Sequence, residues 1–199
     1  MDEYDIRYPV IEIFTSLQGE GFHVGKGTTF IRLAGCNLRC GWCDTQTAFE
    51  VDNAVKMSTT EILSHSMPHH HVVITGGEPT LYNLGPLICE LHKIDKYVAI
   101  ETNGTNPIPA GWNVDWITAS PKPQSNYALR CKANELKYVV DEHFSIDYIA
   151  AGAVPEGLTF LQIESGRQES FQKAYHLINQ FPEKRLRLGI QLHKMLNIR

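Results

Sequence analysis

The sequence has no long apolar run, no basic excess and no obvious set of paired cysteines, and each lack excludes a class. No stretch approaches the roughly 20 apolar residues that span a bilayer, so no membrane partner is expected. The 18 lysines and arginines are outnumbered by 22 aspartates and glutamates, giving a formal charge of -4. A basic footprint for direct contact with nucleic acid is therefore missing. The opening MDEYDIRYPV is acidic and mixed, unlike a signal or transit peptide, and a cytoplasmic protein is expected. There is no internal repeat and no low-complexity segment. The 199 residues predict a single domain, 1–199, long enough to bury a core without disulfides.

What is present is a series of short apolar runs bounded by turn residues. They are TTFIRLAG (28–35), HVVITGG (71–77), KYVAIET (96–102), VDWITAS (114–120), NELKYVV (134–140), LTFLQIE (158–164) and LRLGIQL (186–192). Nearly continuous runs of this kind suit strands covered on both faces, as in a parallel sheet. Helical patterns lie between some of them: STTEILSHS, with Glu61 three residues after Ser58 as in a capping box, then NLGPLICELHK and RQESFQKAYHLINQF. Strand–helix alternation predicts an α/β fold with right-handed crossovers. A closed eight-fold barrel needs about 250 residues, so a partial, open (β/α) barrel trimmed to about six or seven strands is expected. Chemistry then belongs at the C-terminal strand ends. The histidines at 69–71 read as a solvated loop entering a strand. Cys89 in LICELHK reads as buried helix packing, and Cys131 as a bystander.

The dense feature is CNLRCGWCDT, with Cys36, Cys40 and Cys43 spaced C-x3-C-x2-C. Zinc wants a fourth ligand, for which only isolated histidines such as His92, His143 or His193 offer themselves. A dithiol redox site explains CGWC but leaves Cys36 over. A 4Fe-4S cluster wants a thiolate on each of its four irons, so three cysteines leave one iron open to a small ligand with N and O donors.

C-x3-C-x2-C after a first strand resembles the signature of the radical S-adenosylmethionine (SAM) enzymes. That resemblance implies a 4Fe-4S cluster on Cys36, Cys40 and Cys43, with SAM chelating the open iron and yielding a 5′-deoxyadenosyl radical. It places Trp42, Cys43 and Asp44 beside SAM, with Gly77 and Glu78 of TGGEP, Glu101 and Asn103 of ETNGT, and Ser120, Pro121 and Lys122 of SPK. Loop packing for Trp42, a turn cap for Asp44 and a surface charge for Lys122 are the plainer readings.

FTSLQGEG (14–21), GTTFIRLAGCNLRCGWCDT, ITGGEPTL, ETNGT, SPK, ELKYVV, LQIES and QLHKML together are similar, in order and over nearly the whole chain, to the 7-carboxy-7-deazaguanine synthases. This resemblance implies conversion of 6-carboxy-5,6,7,8-tetrahydropterin to 7-carboxy-7-deazaguanine with loss of ammonia, feeding queuosine and other deazapurines. It places Leu17, Gln18, Gly19 and Glu20 against the pterin, Arg32 on its carboxylate, Thr75 as a further contact and Thr45 on Mg2+. A strand-face salt bridge is the plainer reading of Arg32. Some members end in a proline whose terminal carboxylate reaches the substrate; here Arg199 stands at the end. Lys137, Gln162 and Glu164 are further pocket candidates without assigned roles. A homodimer and an electron-donor protein such as flavodoxin are the implied partners. An activase of a glycyl-radical enzyme or ribonucleotide reductase, and a zinc-binding interaction module, are the alternatives.

Overall fold

A computed structural model describes residues 6–198; the Arg199 position lies outside them. The described residues form one nine-stranded sheet in the order β3-β1-β2-β4-β5-β6-β7-β8-β9. The strands are β1 (Arg7–Leu17), β2 (Gly27–Leu33), β3 (Val55–Ser58), β4 (His71–Gly76), β5 (Tyr97–Thr102), β6 (Trp116–Ala119), β7 (Glu135–Val140), β8 (Thr159–Ile163) and β9 (Arg187–Gly189). From β2 through β9 every pairing is parallel, and β3 and β9 are the free edges. The open partial barrel of the sequence reading is this parallel run. β1 and β3 are additions, paired antiparallel to β2 and β1 respectively. Charged Glu12 and the early Pro9 break the apolar pattern of β1, which hides it from periodicity.

Helices cover less of the sheet than strict alternation predicts. They are α1 (Thr59–Leu63), α2 (Gly85–Lys93), α3 (Gln168–Gln180) and α4 (Leu192–Leu196). The connections after β5, β6 and β7 carry only single 3-10 turns. α1 starts in the expected capping box: Ser58 Oγ accepts from the Glu61 amide and Glu61 Oε2 from the Ser58 amide, which satisfies two donors a helix start leaves orphaned. α2 buries Leu87, Ile88 and Leu91 against Val72, Ile74, Val98 and Ile100. Cys89 points the other way and is exposed, correcting its reading as core. α3 presents small Ser170 and Ala174 to the sheet, and Ala174 joins Leu136, Tyr138, Val140 and Leu161 in a second cluster.

The link between β1 and β2 matters most for function. Residues 18–26 are held to each other by Gln18 N donating to Lys26 O (2.7 Å) and Gly25 N to Gln18 O (2.8 Å). The link then enters the barrel. The Phe22 amide donates to Glu135 Oε2 (2.7 Å) at the start of β7, and Gly21, at φ +68, leaves no room for a Cβ beside that carboxylate. His23 packs edge-on against His71 and Trp116, which begin β4 and β6. This seals the N-terminal end of the barrel and leaves the C-terminal end open. His71 is thus buried and bonded to Thr28 Oγ1 (2.7 Å), so only His69 and His70 of the triple histidine belong to the loop.

Candidate active site

The C-terminal strand ends face a cleft of about 290 Å³. Of the sequence-nominated residues, Leu17, Gln18, Gly19, Glu20, Arg32, Cys36, Cys40, Trp42, Cys43, Asp44, Thr45, Thr75, Gly77, Glu101, Asn103, Ser120 and Lys122 all line it. Six separate segments therefore converge: five lie at or just after the ends of the parallel strands β2, β4, β5 and β6, which deliver them to one rim, and Leu17–Glu20 comes from the link after antiparallel β1.

The cysteine loop leaves β2 at Ala34, whose carbonyl accepts from Tyr82 OH (2.8 Å), and passes Gly35 at φ +88. Cys40 is buried and its Sγ donates to Gln124 Oε1 (3.2 Å). Burial pushes the Cys40 thiol up to about 11, and the neighbouring Cys43 and Cys36 add to this against Lys122. A thiol-exchange site needs an acidic, accessible thiol, so the dithiol reading loses ground. No group of three or more Cys, His, Asp or Glu side chains among the described residues is drawn together as a metal cage. Three soft sulfur donors on one loop, all facing one cleft with no histidine or carboxylate interleaved, nonetheless suit an iron–sulfur cluster with one iron unserved by protein better than four-coordinate zinc.

Beside the loop, Lys122 Nζ lies 4.9 Å from the centroid of the Trp42 ring and donates to Ser120 Oγ (2.6 Å). Burial, and next the charge on Lys137, bring the Lys122 ammonium down to about 8. Trp42 Nε1 donates to Asp141 Oδ2 (3.3 Å). An aromatic face, a hydroxyl and a half-desolvated ammonium thus stand together, a set that fits a purine and a carboxylate. At the rim, Thr45 Oγ1 donates to Asp44 Oδ1 (3.2 Å). A hydroxyl and a carboxylate oxygen side by side are the hard donors a magnesium ion takes alongside water.

The cleft floor is a network of buried charges. Lys137 Nζ lies 2.5 Å from Glu20 Oε2 and 2.9 Å from Glu101 Oε2. Gln18 Nε2 donates to Glu101 Oε1 (3.2 Å), and Gln191 Nε2 donates to Glu20 Oε1 (2.8 Å). Burial by itself lowers the Lys137 pKa, but Glu101 and Glu20 outweigh it and the ammonium is held well above its usual value. Burial likewise opposes ionisation of Glu20, and Lys137 overcomes it. Two carboxylates and one ammonium leave this group with net negative charge, which suits the donor edge of an amino-pyrimidine. Across the cleft Arg32 Nε donates to Glu12 Oε1 (2.8 Å) and its guanidinium stacks 5.7 Å from Phe14. The salt-bridge reading of Arg32 therefore holds for Nε, while the side chain still lines the cleft.

Three nominated positions stand differently. Glu78 is fully buried and takes no part in the cleft wall. Its Oε1 accepts from Thr80 N, Thr80 Oγ1 and Thr102 Oγ1, and its Oε2 accepts from Asn103 N (2.6 Å). Four protein donors saturate the carboxylate, which anchors β4 to β5 and leaves only the Glu78 backbone for a contact with SAM. Pro121, between Ser120 and Lys122, is buried and also absent from the wall. Asn103 reaches the wall, but both ends of its amide bond other side chains. The TGGEP amides of Gly77 and Glu78 are likewise spent on Leu33 O (3.0 Å) and Gly35 O (2.7 Å). A Cβ on Gly77 would lie 2.2 Å from Gly35 O, so glycine is required there for β4 to meet the cysteine loop.

Sequence reasoning missed Gln191 and His193 as wall residues and left Lys137 without a role. The Leu192 amide donates to Gly19 O (2.9 Å), and His193 fills the space beside Gly19. The QLHKML ending carried the signal, but no spacing rule brings a C-terminal segment onto a loop near residue 19.

The Radical SAM superfamily model matches residues 30–117, from β2 to β6. A 7-carboxy-7-deazaguanine synthase of Bacteroides thetaiotaomicron is 38% identical over 190 residues, 94% of this chain and 97% of that protein. One from Synechocystis is 35% identical, over 98% of this chain and 95% of its own length. The crystal structure of QueE from Escherichia coli superposes with a TM-score of 0.74 at 30% identity, covering 94% of this chain and 95% of that one. With a fold that superposes on QueE and 35–38% identity to these synthases over nearly the full length in both directions, the chain belongs to the 7-carboxy-7-deazaguanine synthase family of radical SAM enzymes.

Proposed function

We propose that the cleft converts 6-carboxy-5,6,7,8-tetrahydropterin to 7-carboxy-7-deazaguanine and ammonia, a carbon–nitrogen lyase step in queuosine biosynthesis. The atoms of substrate equal those of product plus ammonia, so the reaction consumes no net oxidant. One observation carries the reading: the three cysteines, Arg32 and the Gln18–Glu20 floor line a single small-molecule cleft. A docking groove for a large protein substrate, as an activase needs, has no use for a floor of buried charges.

A reduced 4Fe-4S cluster with SAM, when bound, would supply hydrogen-atom transfer chemistry at C6 of the pterin. Cys36, Cys40 and Cys43 are the ligands for the cluster. Trp42, Ser120 and Lys122 hold SAM, with Lys122 placed for its carboxylate. The donors Thr45 and Asp44 suit Mg2+ at the rim, which offsets charge on the substrate carboxylate. Arg32 presents its terminal nitrogens to that same carboxylate. Gln18, Glu20 and Thr75 orient the pterin, and Lys137 keeps Glu20 ionised as an acceptor. The closed barrel bottom excludes water from the reacting centre. A cytoplasmic homodimer served by an electron-donor protein such as flavodoxin completes the reading; among the described residues no helix is long and apolar enough to cross a membrane.

The test is anaerobic reconstitution with iron and sulfide, followed by SAM, reductant, Mg2+ and the carboxytetrahydropterin. A brown protein that forms the deazaguanine is expected. A colourless protein holding one zinc per chain would overturn the cluster. Formation of 5′-deoxyadenosine without deazaguanine would overturn the substrate.

A further inference from the structure

The hydrogen bonds of Asn37, Thr105 and Asn103 close into a ring. Asn37 Nδ2 donates to Thr105 Oγ1 (2.8 Å), Thr105 Oγ1 donates to Asn103 Oδ1 (2.7 Å), and Asn103 Nδ2 donates back to Asn37 Oδ1 (2.9 Å). Each side chain both gives and accepts, so all three polarise one another in one direction. Turning one amide alone would set like groups against each other, and turning both would set the Thr105 amide against an NH2 group, so the ring has one arrangement. The Thr105 amide adds a second bond to Asn103 Oδ1 (3.0 Å). Asn103 and Thr105 are buried, while Asn37 reaches in from the exposed loop.

The placement is specific. Asn37 stands between Cys36 and Cys40 in a segment without helix or strand. Asn103 and Thr105 follow the end of β5. Behind the ring sits Glu78, with Oε2 on the Asn103 amide and Oε1 on Thr102 and Thr80. Gly104, at φ +79, turns the chain so that Asn103 and Thr105 face Asn37 together. An irregular loop keeps its conformational freedom unless side chains remove it, and this ring ties Asn37 to the sheet from within the cysteine motif.

We propose that Asn37, Thr105 and Asn103, backed by Glu78, form a clasp that holds the Cys36–Cys43 loop in cluster-binding geometry. They are positioning residues, acting through the cysteines and not by touching SAM or pterin. The clasp makes Glu78 a support for the motif and gives the Asn103 amide a partner other than a ribose. It rests on the cluster reading above and adds the way this chain keeps its cluster.

Thr105→Val removes the shared hydroxyl at nearly constant shape, and Thr105→Ser keeps it. Wild type and both variants are reconstituted, and loss of cluster absorbance to an iron chelator is timed alongside the melting temperature of each apoprotein. Thr105→Val is expected to lose its cluster about tenfold faster, as the loss of a buried hydrogen bond permits, and Thr105→Ser to match wild type. The electron paramagnetic resonance of reduced Thr105→Val with SAM is expected to broaden as the loop samples more arrangements. Equal chelation rates for Thr105→Val and wild type overturn the clasp. So does a Thr105→Ser protein that behaves like Thr105→Val. Should Thr105→Val apoprotein not fold, Asn37→Ala is read by the same criterion, and a wild-type rate there overturns the proposal. A wild-type protein that takes up no cluster fails the functional reading itself, and the clasp as a cluster device falls with it.

Discussion

Lys194 Nζ lies 2.8 Å from Asp44 Oδ2 across a sequence separation of 150 residues. This contact joins α4 to the cysteine loop one residue before Thr45. Gln191 Nε2 reaches the same oxygen at 3.2 Å and also holds Glu20. The C-terminal segment is thereby a strap between the rim and the floor of the cleft. Burial opposes ionisation of Asp44, yet Lys194 and its neighbours bring its pKa down to about 2, so the pair is a standing ion pair at working pH.

Removing Lys194 leaves that carboxylate without its cation beside the proposed magnesium donor. Lys194→Met is expected to lower the Mg2+ concentration for half-maximal turnover by about two- to fivefold, the scale of an exposed ion pair. Magnesium titration of the reconstituted enzyme checks this, and a higher requirement would contradict it.

Lys137 has a different weight because its partners are buried. Lys137→Met strands Glu20 and Glu101 in the barrel, and breaking a buried pair on one side costs about 3–5 kcal/mol. Urea unfolding of the apoprotein should show that loss. Pairing Lys137→Met with Glu101→Gln should recover part of the stability without recovering turnover, since Glu20 would still lack its cation.

Two glycines offer a contrast of backbone against side chain. A Cβ at Gly77 meets Gly35 O at 2.2 Å and Ala48 O at 2.6 Å, both backbone atoms. At Gly19 it meets the His193 ring, Nδ1 at 2.1 Å, which a rotamer change relieves. Gly77→Ala is expected to destabilise the apoprotein by about 1–3 kcal/mol, the usual cost of overpacking. Gly19→Ala is expected to leave the melting temperature nearly unchanged while raising KM for the pterin severalfold. Melting curves and steady-state kinetics on both variants decide the matter.

His23 and His71 set an acid limit. Burial, and next Lys26 for His23 and His23 for His71, lower each imidazole from 6.5 to about 4. The unfolded chain then binds more protons than the folded one between those values. Stability from the pair is full above about pH 6.5 and is lost as pH falls toward 4. Denaturant midpoints measured from pH 7 to 4 should fall with acid, and His23→Phe should flatten the slope.

The strand runs from 28–35 to 186–192 were legible because strands covered on both faces must be nearly continuous in apolar residues. α1 was legible from Ser58 and Glu61, whose reciprocal bonds are local. β1 escaped because Glu12 and Pro9 interrupt its pattern, and only its neighbours β2 and β3 make it a strand. Cys89 was misread because helical spacing gives a face its width without saying where its edge falls; Leu87, Ile88 and Leu91 claim the sheet.

For the site, the motif spacing of Cys36, Cys40 and Cys43 and the order of the strand-end motifs determined which loops carry chemistry. They did so because ligand spacing and strand ends are properties of short stretches. Only the tertiary structure decided what each polar group bonds. It turned Glu78 inward among four donors, set Lys137 between Glu20 and Glu101, and laid the C-terminal strap on Asp44. Those pairings join residues far apart in the chain. Which partner a carboxylate finds depends on where the barrel brings the strands, and no local pattern records that.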